Sequence, residues 1–305
     1  MVEQQASEGP RDVDADGHSN ARPTFDDLYR AFEDTFRGSR ETIIDRMRVY
    51  HPLYTMQPAD YRAKHPALDL GCGRGEWLEL LRNEGWAIEG VDSNEGMASD
   101  SPVSDHVVIG DALAHLRSKP NSSLGVVSAF HVVEHITTDA LLTWLAEIKR
   151  VLAPGGLLLL ETPNPESLNV STWTFLMDPT HVKPVPPALL KFLVDQIGFA
   201  GSQVLRLNGP PRDQSPMGAA DGMESLYYSG PDYAVVACRT EADDPTCAAI
   251  ERFVAANSQR SPADLGPLVA ALRRTEAELA STQRLVRTLV ADMERVLIDK
   301  GWSRS

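Results

Sequence analysis

The stretch Leu68-Asp69-Leu70-Gly71-Cys72-Gly73-Arg74-Gly75-Glu76 constrains the fold more than any other part of the chain. An apolar run with strand character passes straight into Gly-x-Gly-x-Gly and out into a helical pattern over Glu76–Asn83. Glycine lets such a turn take positive φ and lets the backbone approach a ligand closely. The helix that follows adds N–H groups with no intrahelical partner. Several kinds of nucleotide binder share a glycine-rich turn, so its surroundings decide the reading. Between residues 66 and 240 strands and helices alternate. The strands are predicted at Ala67–Cys72, Ala87–Asp92, His106–Gly110, Gly125–Phe130, Gly156–Glu161, Ser202–Leu207 and Tyr233–Cys238. Helices are predicted at Glu76–Asn83, Ala112–Ser118, Thr138–Val151 and Pro187–Ile197. This alternation predicts an α/β chain with a parallel, doubly wound sheet. The last two strands lack a helix between them and would form a hairpin, which makes one strand antiparallel.

Three carboxylates narrow the ligand. A dinucleotide-binding turn usually reads Gly-x-Gly-x-x-Gly, whereas the glycines here alternate and Asp69 precedes them. A carboxylate at that place suits an ammonium group better than a pyrophosphate. Asp92 closes the second strand, where it can accept both hydroxyls of a ribose. Asp111 follows the third strand, where it can accept from an adenine amino group with the Ala112 backbone beside it. Singly, each acid is more often a helix cap or a turn residue. Together they stand at the carboxyl ends of three successive strands, where open α/β sheets bind ligands. A ligand with an ammonium group, a ribose and an adenine is S-adenosylmethionine (SAM). Over about residues 60–240 this pattern resembles the class I SAM-dependent methyltransferases. The resemblance implies a Rossmann-like, seven-stranded mixed sheet of order 3-2-1-4-5-7-6 with SAM at the switch point. It places Gly71 and Gly73 on the methionyl part and Asp92 on the ribose. Cys72, Ser93 and Phe130 flank these positions and join the expected cofactor-binding set.

The fourth strand runs into Phe130-His131-Val132-Val133-Glu134-His135-Ile136. In the resembled fold this strand end faces the transferable methyl. An alcohol acceptor must also lose its proton, and histidine is suited to that near neutral pH. His131, Glu134 and His135 have the spacing i, i+3, i+4, which puts all three on one face of a helical turn. With a distant His181, the set Glu134, His135 and His181 offers a divalent-metal site. It resembles the Glu-x-x-Glu-His plus later His of small-RNA 3′-end methyltransferases, which bind Mg2+. Here His131 stands at the first Glu, and a neutral ligand suits a hard cation less well. Many class I methyltransferases carry Glu-His here with no metal, the Glu capping a helix and the His packing on the cofactor. Asp178 and His181, in Asp178-Pro179-Thr180-His181, can orient acceptor hydroxyls or complete the base. Their alternative is a turn that caps the helix beginning near Pro187. Trp173 and Phe175 are either sugar-stacking or core.

The same stretches resemble a narrower group. Phe36-Arg37-Gly38-Ser39-Arg40, His131-Val132-Val133-Glu134-His135, Glu161-Thr162-Pro163-Asn164-Pro165-Glu166 and Asp178-Pro179-Thr180-His181 look like bacterial polysaccharide methyltransferases. These include O-antigen chain terminators and enzymes acting on mycobacterial methylmannose polysaccharide precursors. The resemblance implies methyl transfer to a sugar hydroxyl or to a phosphate on the sugar. Arg37 and Arg40 would lie on an N-terminal lid, holding the SAM carboxylate or an acceptor phosphate bidentately; the bland alternative is an exposed helix-end pair. A small aromatic or quinone precursor as acceptor would need an apolar cavity, whereas Asp178, His181 and Asn164 point to a polar one. A non-enzymatic reading is a SAM-binding scaffold that assembles a complex through its C-terminal helix.

The remaining chain organises around that domain. Residues 1–22 are polar and acidic and read as a disordered tail. Residues 23–58 form the helical lid, 59–240 the methyltransferase domain and 241–305 a helical extension. Residues 208–231 form a long Gly-, Pro- and Ser-rich loop of the kind that is usually functional. Leu268, Leu272, Thr275, Leu279, Thr282, Val286, Leu289, Met293 and Val296 alternate steps of four and three. That heptad pattern predicts a coiled-coil seam and a homodimer. A net charge of −14 without any Lys/Arg run argues against nucleic-acid binding. Three cysteines without metal spacing argue for free thiols. No apolar run marks a signal peptide or a membrane span, and the expected location is the cytoplasm.

Overall fold

A computed structural model of the chain describes residues 25–99, 101–209, 230–240, 245–259 and 266–299. The expected tail at 1–22 and most of the 208–231 loop lie outside the described residues. Seven strands form one sheet of order β3-β2-β1-β4-β5-β7-β6. They are β1 (Ala67–Leu70), β2 (Ile88–Asp92), β3 (Val107–Ile109), β4 (Leu124–Phe130), β5 (Leu152–Pro163), β6 (Ala200–Leu207) and β7 (Asp232–Arg239). β1 through β5 pair in parallel, and β7 runs antiparallel to both β5 and β6. β5 is longer than its apolar run predicts. β7 pairs with it continuously from Gly156↔Arg239 to Pro163↔Asp232, and a register irregularity beside β4 admits Leu152 as well.

The helices expected at Glu76–Asn83 (α5), Ala112–Ser118 (α7), Thr138–Val151 (α8) and Pro187–Ile197 (α10) occur at those boundaries. Local chemistry explains why. Thr137 caps α8 by accepting from the Ala140 N–H at 3.3 Å, and Asp111 caps α7 by accepting from Ala114 N–H at 2.7 Å. Gly198, at φ +86°, ends α10 in the left-handed conformation that glycine takes without strain. α8 turns Leu141, Trp144, Leu145, Ile148 and Val151 onto the sheet. Every residue of β4 is buried, as expected for a central parallel strand covered on both faces.

The first helices are α1 (Phe25–Phe36), α2 (Arg40–Met47), α3 (His51–Thr55) and α4 (Ala59–Lys64). Tyr50, Leu53 and Tyr54 sink into the core on the opposite face from α8. Tyr50 meets Trp77 and Phe130 edge-on, with ring centroids 5.9 and 5.8 Å apart. The segment around residue 50 is therefore a wall of the domain, while α1 and α2 supply Tyr29, Phe32, Phe36 and Arg46 to the cavities above the sheet. Three short helices escaped the sequence reading, α4, α6 (Glu95–Ser99) and α9 (Leu168–Thr172). None spans more than six residues, too few to show a helical period. α11 (Pro245–Asn257) packs Cys247, Ile250, Phe253 and Val254 into the same core as Tyr50. All three cysteines are buried free thiols, with Cys238 Sγ 3.2 Å from Cys247 Sγ. α12 (Gly266–Asp299) is one 34-residue helix, and Leu272, Leu279, Val286, Leu289, Met293 and Val296 of the expected seam are exposed along it. No helix among the described residues is long and apolar enough to cross a membrane.

Candidate active site

The β1–α5 turn builds one wall of a crevice at the carboxyl ends of β1, β2 and β4. Gly71, Gly73 and Gly75 all have positive φ, at +70°, +50° and +74°. A Cβ on Gly71 would lie 2.5 Å from Val132 Cγ2, and one on Gly75 would lie 2.5 Å from Ser101 Oγ. Asp92 ties the turn to β2: its carboxylate accepts from Gly73 N–H and Asn94 N–H, each at 2.8 Å. The crevice encloses about 420 Å3 and is lined by Gly71, Gly73, Asp92, Ser93, Asp111, Ala112 and Phe130. Tyr29, Arg37, His131, Val132 and His135 complete it. One Asp111 oxygen caps α7.

Two of the expected cofactor-binding residues sit deeper. Asp69 is buried, accepts from Ser128 Oγ at 2.7 Å and faces a small recess beneath the turn. Burial pushes its carboxyl up to about 8, against the opposing hydrogen bond from Ser128. Cys72 lines the same recess, and burial pushes its thiol up. Arg40 is placed outside both. Its guanidinium donates to the Arg74 carbonyl at 2.8 Å and pairs with Glu79. Residue 40 is the first of α2, and that helix leans on α5, so two acids of α5 capture the side chain. Arg37, one helix break earlier, is the arginine that reaches the crevice.

At the end of β4 the backbone does not continue into a regular helix. His131 takes φ +55°, and a single 3-10 turn spans Val133–His135. The expectation of one shared helical face is corrected accordingly: His131 and His135 diverge, with Glu134 buried between them. His131 Nδ1 lies 3.5 Å from Glu134 Oε1, and its Nε2 lies 3.5 Å from Glu161 Oε1 and 3.9 Å from Asp232 Oδ1. Burial alone would lower the His131 pKa, but Glu134, Glu161 and Asp232 outweigh it and raise it to about 10. Burial and the Glu161 charge push the Asp232 carboxyl up, while the His131 charge opposes them. Glu161 also accepts from the Tyr50 hydroxyl. His135 moves the other way: burial holds it below the usual imidazole range. Its Nδ1 meets Thr180 Oγ1 at 2.8 Å, and its ring stacks edge-on against His181 at 4.8 Å.

The 178–181 loop closes this side. Asp178 accepts from the Tyr29 hydroxyl at 3.2 Å and from the Thr180 N–H and hydroxyl at 2.8 and 2.6 Å. Burial would raise its pKa, but the Thr180 hydrogen bonds hold it low. Phe175 is buried against the His181 ring, whereas Trp173 is exposed and points into neither cavity. Asn164 is fully buried, donating to Gly230 O and accepting from Glu166 N–H, and lines neither cavity. Its polar side chain shapes the loop, which corrects the expectation that it contributes to a polar cavity. A second cavity of about 370 Å3 adjoins the crevice and shares Tyr29, Arg37, His131 and His135 with it. Its walls add Phe32, Phe36, Arg46, Asp178, His181, Asn208 and Asp232. Asp232, Arg46 and Asn208 carried no sequence signal, because they come from unrelated stretches brought together only by the sheet order.

A family model described as a methyltransferase domain matches residues 44–204, 161 of the 305 residues. The chain belongs to that family, and S-adenosylmethionine is its cofactor. Among solved structures it is similar to a SAM-dependent methyltransferase from Archaeoglobus fulgidus. Identity is 32%, the TM-score is 0.60, and the match covers 70% of this chain and all of that one. It is also similar to a probable SAM-dependent methyltransferase of Mycolicibacterium smegmatis, 27% identical over 165 residues. An uncharacterized 37.1 kDa protein encoded in a Streptomyces fradiae transposon is 30% identical over 135 residues. These matches cover 49% and 41% of this chain and span 57% and 38% of the two relatives.

Proposed function

We propose that this protein transfers the methyl group of SAM to a hydroxyl of a sugar in a polysaccharide or oligosaccharide precursor. One observation carries the reading: the cofactor crevice and a cavity with both aromatic and charged walls share His131 and His135 as a common boundary. Phe32 and Phe36 of α1 offer apolar faces to a pyranose ring, and Asp178, Asp232 and Asn208 offer partners to its hydroxyls. These groups already have partners within the protein, Asp178 with Tyr29 and Thr180 and Asp232 with Asn208, and an acceptor's hydroxyls can use their remaining lone pairs where an apolar ring cannot. In the transfer, an acceptor oxygen attacks the methyl carbon in line, the carbon–sulfur bond breaks, and S-adenosylhomocysteine leaves as a neutral thioether. The hydroxyl proton goes to a base. His135 is the better base, because burial keeps it unprotonated near neutral pH. His131 holds its proton under the same conditions and serves as a fixed positive charge beside the transfer path.

Arg37 and Arg46 in the second cavity favour a second acceptor, a phosphate attached to the sugar. We also propose that the chain acts as a homodimer through α12. Its C-terminal half exposes Leu285, Val286, Leu289, Val290, Met293 and Val296, at 46–65% of their full areas. Contiguous apolar surface of this kind marks an association face.

Radiolabelled methyl transfer to a panel of short mannosides, galactosides and phosphorylated sugars tests the acceptor. Product with a sugar hydroxyl is expected. Tight SAM binding with no methylated product from any of them overturns the sugar reading.

A further inference from the structure

Glu134 carries an anomaly that the methyl-transfer reading does not use. Its side chain is fully buried, and its Oε2 accepts from Thr162 Oγ1 at 2.8 Å. Its Oε1 makes no hydrogen bond among the described residues; His131 Nδ1, 3.5 Å away, is a charge partner at the limit of hydrogen-bonding distance. That ion pair offsets part of the cost of burying the oxygen and leaves it short of a close donor or cation. One nitrogen from each of His135 and His181 lies, with a Glu134 oxygen, in a set whose members are all within 4.8 Å of one another. The Glu134 Oε1 to His181 Nε2 separation is 3.9 Å. Donors about 2.0–2.2 Å from a common ion sit roughly 3–4.3 Å apart, so small side-chain adjustments close the set around one cation.

The hydrogen bonds behind the two rings decide which nitrogens are available. His181 Nδ1 faces the Phe175 carbonyl at 2.7 Å. A carbonyl only accepts, so Nδ1 carries a proton and Nε2 is the nitrogen left to face a ligand. Thr180 spends its single hydroxyl proton on Asp178 Oδ1 at 2.6 Å, so at 2.8 Å it can only accept from His135 Nδ1–H. Both imidazoles thus carry Nδ1–H, each turned by a backbone or hydroxyl acceptor. Metal-bound histidines are oriented in this way. Two imidazoles and one carboxylate form a nitrogen-rich set. Such sets suit zinc, manganese or iron, whereas magnesium selects oxygen donors.

We propose that Glu134, His135 and His181 bind one divalent transition-type cation, with Thr180 and Asp178 positioning His135. The ion would lie on the boundary between the two cavities, where it could hold an acceptor oxygen as the alkoxide and supply the open position that catalytic sites keep; with the ion bound, His135 is a ligand and the lowered pKa of the ion-held hydroxyl takes the place of that base. The binding claim stands without the sugar reading, because it is read with no acceptor present.

The full-length protein, stripped with chelator and dialysed, is titrated by calorimetry with Zn2+, Mn2+ and Mg2+ in turn. A Co2+-loaded sample is read for visible d–d absorption. The expected result is one equivalent of Zn2+ or Mn2+ per chain, with Mg2+ a far weaker ligand. Glu134→Gln and His181→Asn should abolish this binding, and Thr180→Val should weaken it by about 10–100-fold, the usual effect of losing an orienting partner. His51→Ala, at an exposed histidine paired with Glu84, should leave it intact. SAM binding by each variant reports folding, and the half-buried, near-isosteric Thr180→Val change keeps the test valid should Glu134→Gln misfold. No bound ion, a preference for Mg2+, or equal affinity in wild type and all three variants overturns the proposal.

Discussion

Placing a methyl group on Gly71 tests the crevice wall quantitatively. Two separate costs meet there. The backbone sits at φ +70°, and an L-residue in that left-handed region costs about 1–2 kcal/mol. The new Cβ would also lie 2.5 Å from Val132 Cγ2. A β-branched side chain has little rotamer freedom with which to retreat, and overpacking of this kind costs about 1–3 kcal/mol. Gly71→Ala should therefore lose roughly 2–5 kcal/mol. At about 2–4 °C per kcal/mol for a domain of this size, the melting temperature should fall by roughly 4–20 °C. Two other glycines separate the costs. Gly85 has φ +82° with nothing within 4 Å of an added Cβ, so only the backbone cost applies. Gly85→Ala should fall by roughly 2–8 °C on the same scale. Gly110 has neither a positive φ nor a neighbour within 4 Å, and Gly110→Ala should leave the transition unmoved. Scanning calorimetry without ligand reads all three, and SAM titration shows whether the wall displaced by Gly71→Ala also weakens the cofactor. A Gly71→Ala protein as stable as Gly110→Ala would refute the reasoning.

Two further outcomes follow from the same structure. His131 has a folded pKa raised to about 10, above the ordinary imidazole value of about 6.5. Its ion pairs therefore contribute stability that is complete below the unfolded pKa and lost as pH rises through the folded one. The gap in urea midpoint between wild type and His131→Gln should close steadily from pH 6.5 to 10; a constant gap across that window would count against the charged histidine. Removing residues 266–305 should convert a dimer to a monomer by light scattering while SAM affinity is retained, and an unchanged mass would sink the role of α12 in association.

The legible parts of this protein were those set by local chemistry. The helices at 76–83, 112–118, 138–151 and 187–197 were read at their observed ends, because caps such as Asp111 and Thr137 and stops such as Gly198 act within a few residues. The turn at 71–75 was equally legible, since only glycine tolerates three nearby positive φ values beside close neighbours. What packing decided lay elsewhere. Arg40 and Arg37 are indistinguishable as letters, yet the lean of α2 on α5 hands one to Glu79 and leaves the other to the crevice. The spacing of His131, Glu134 and His135 suggested one helical face, but His131 is drawn out at φ +55° by Glu161 and Asp232. Asp232 lies about a hundred residues further along, and it reaches His131 only because β7 inserts beside β5. Charge partners of that kind depend on strand order and on desolvation in a shared interior, quantities that a residue's neighbours along the chain do not carry.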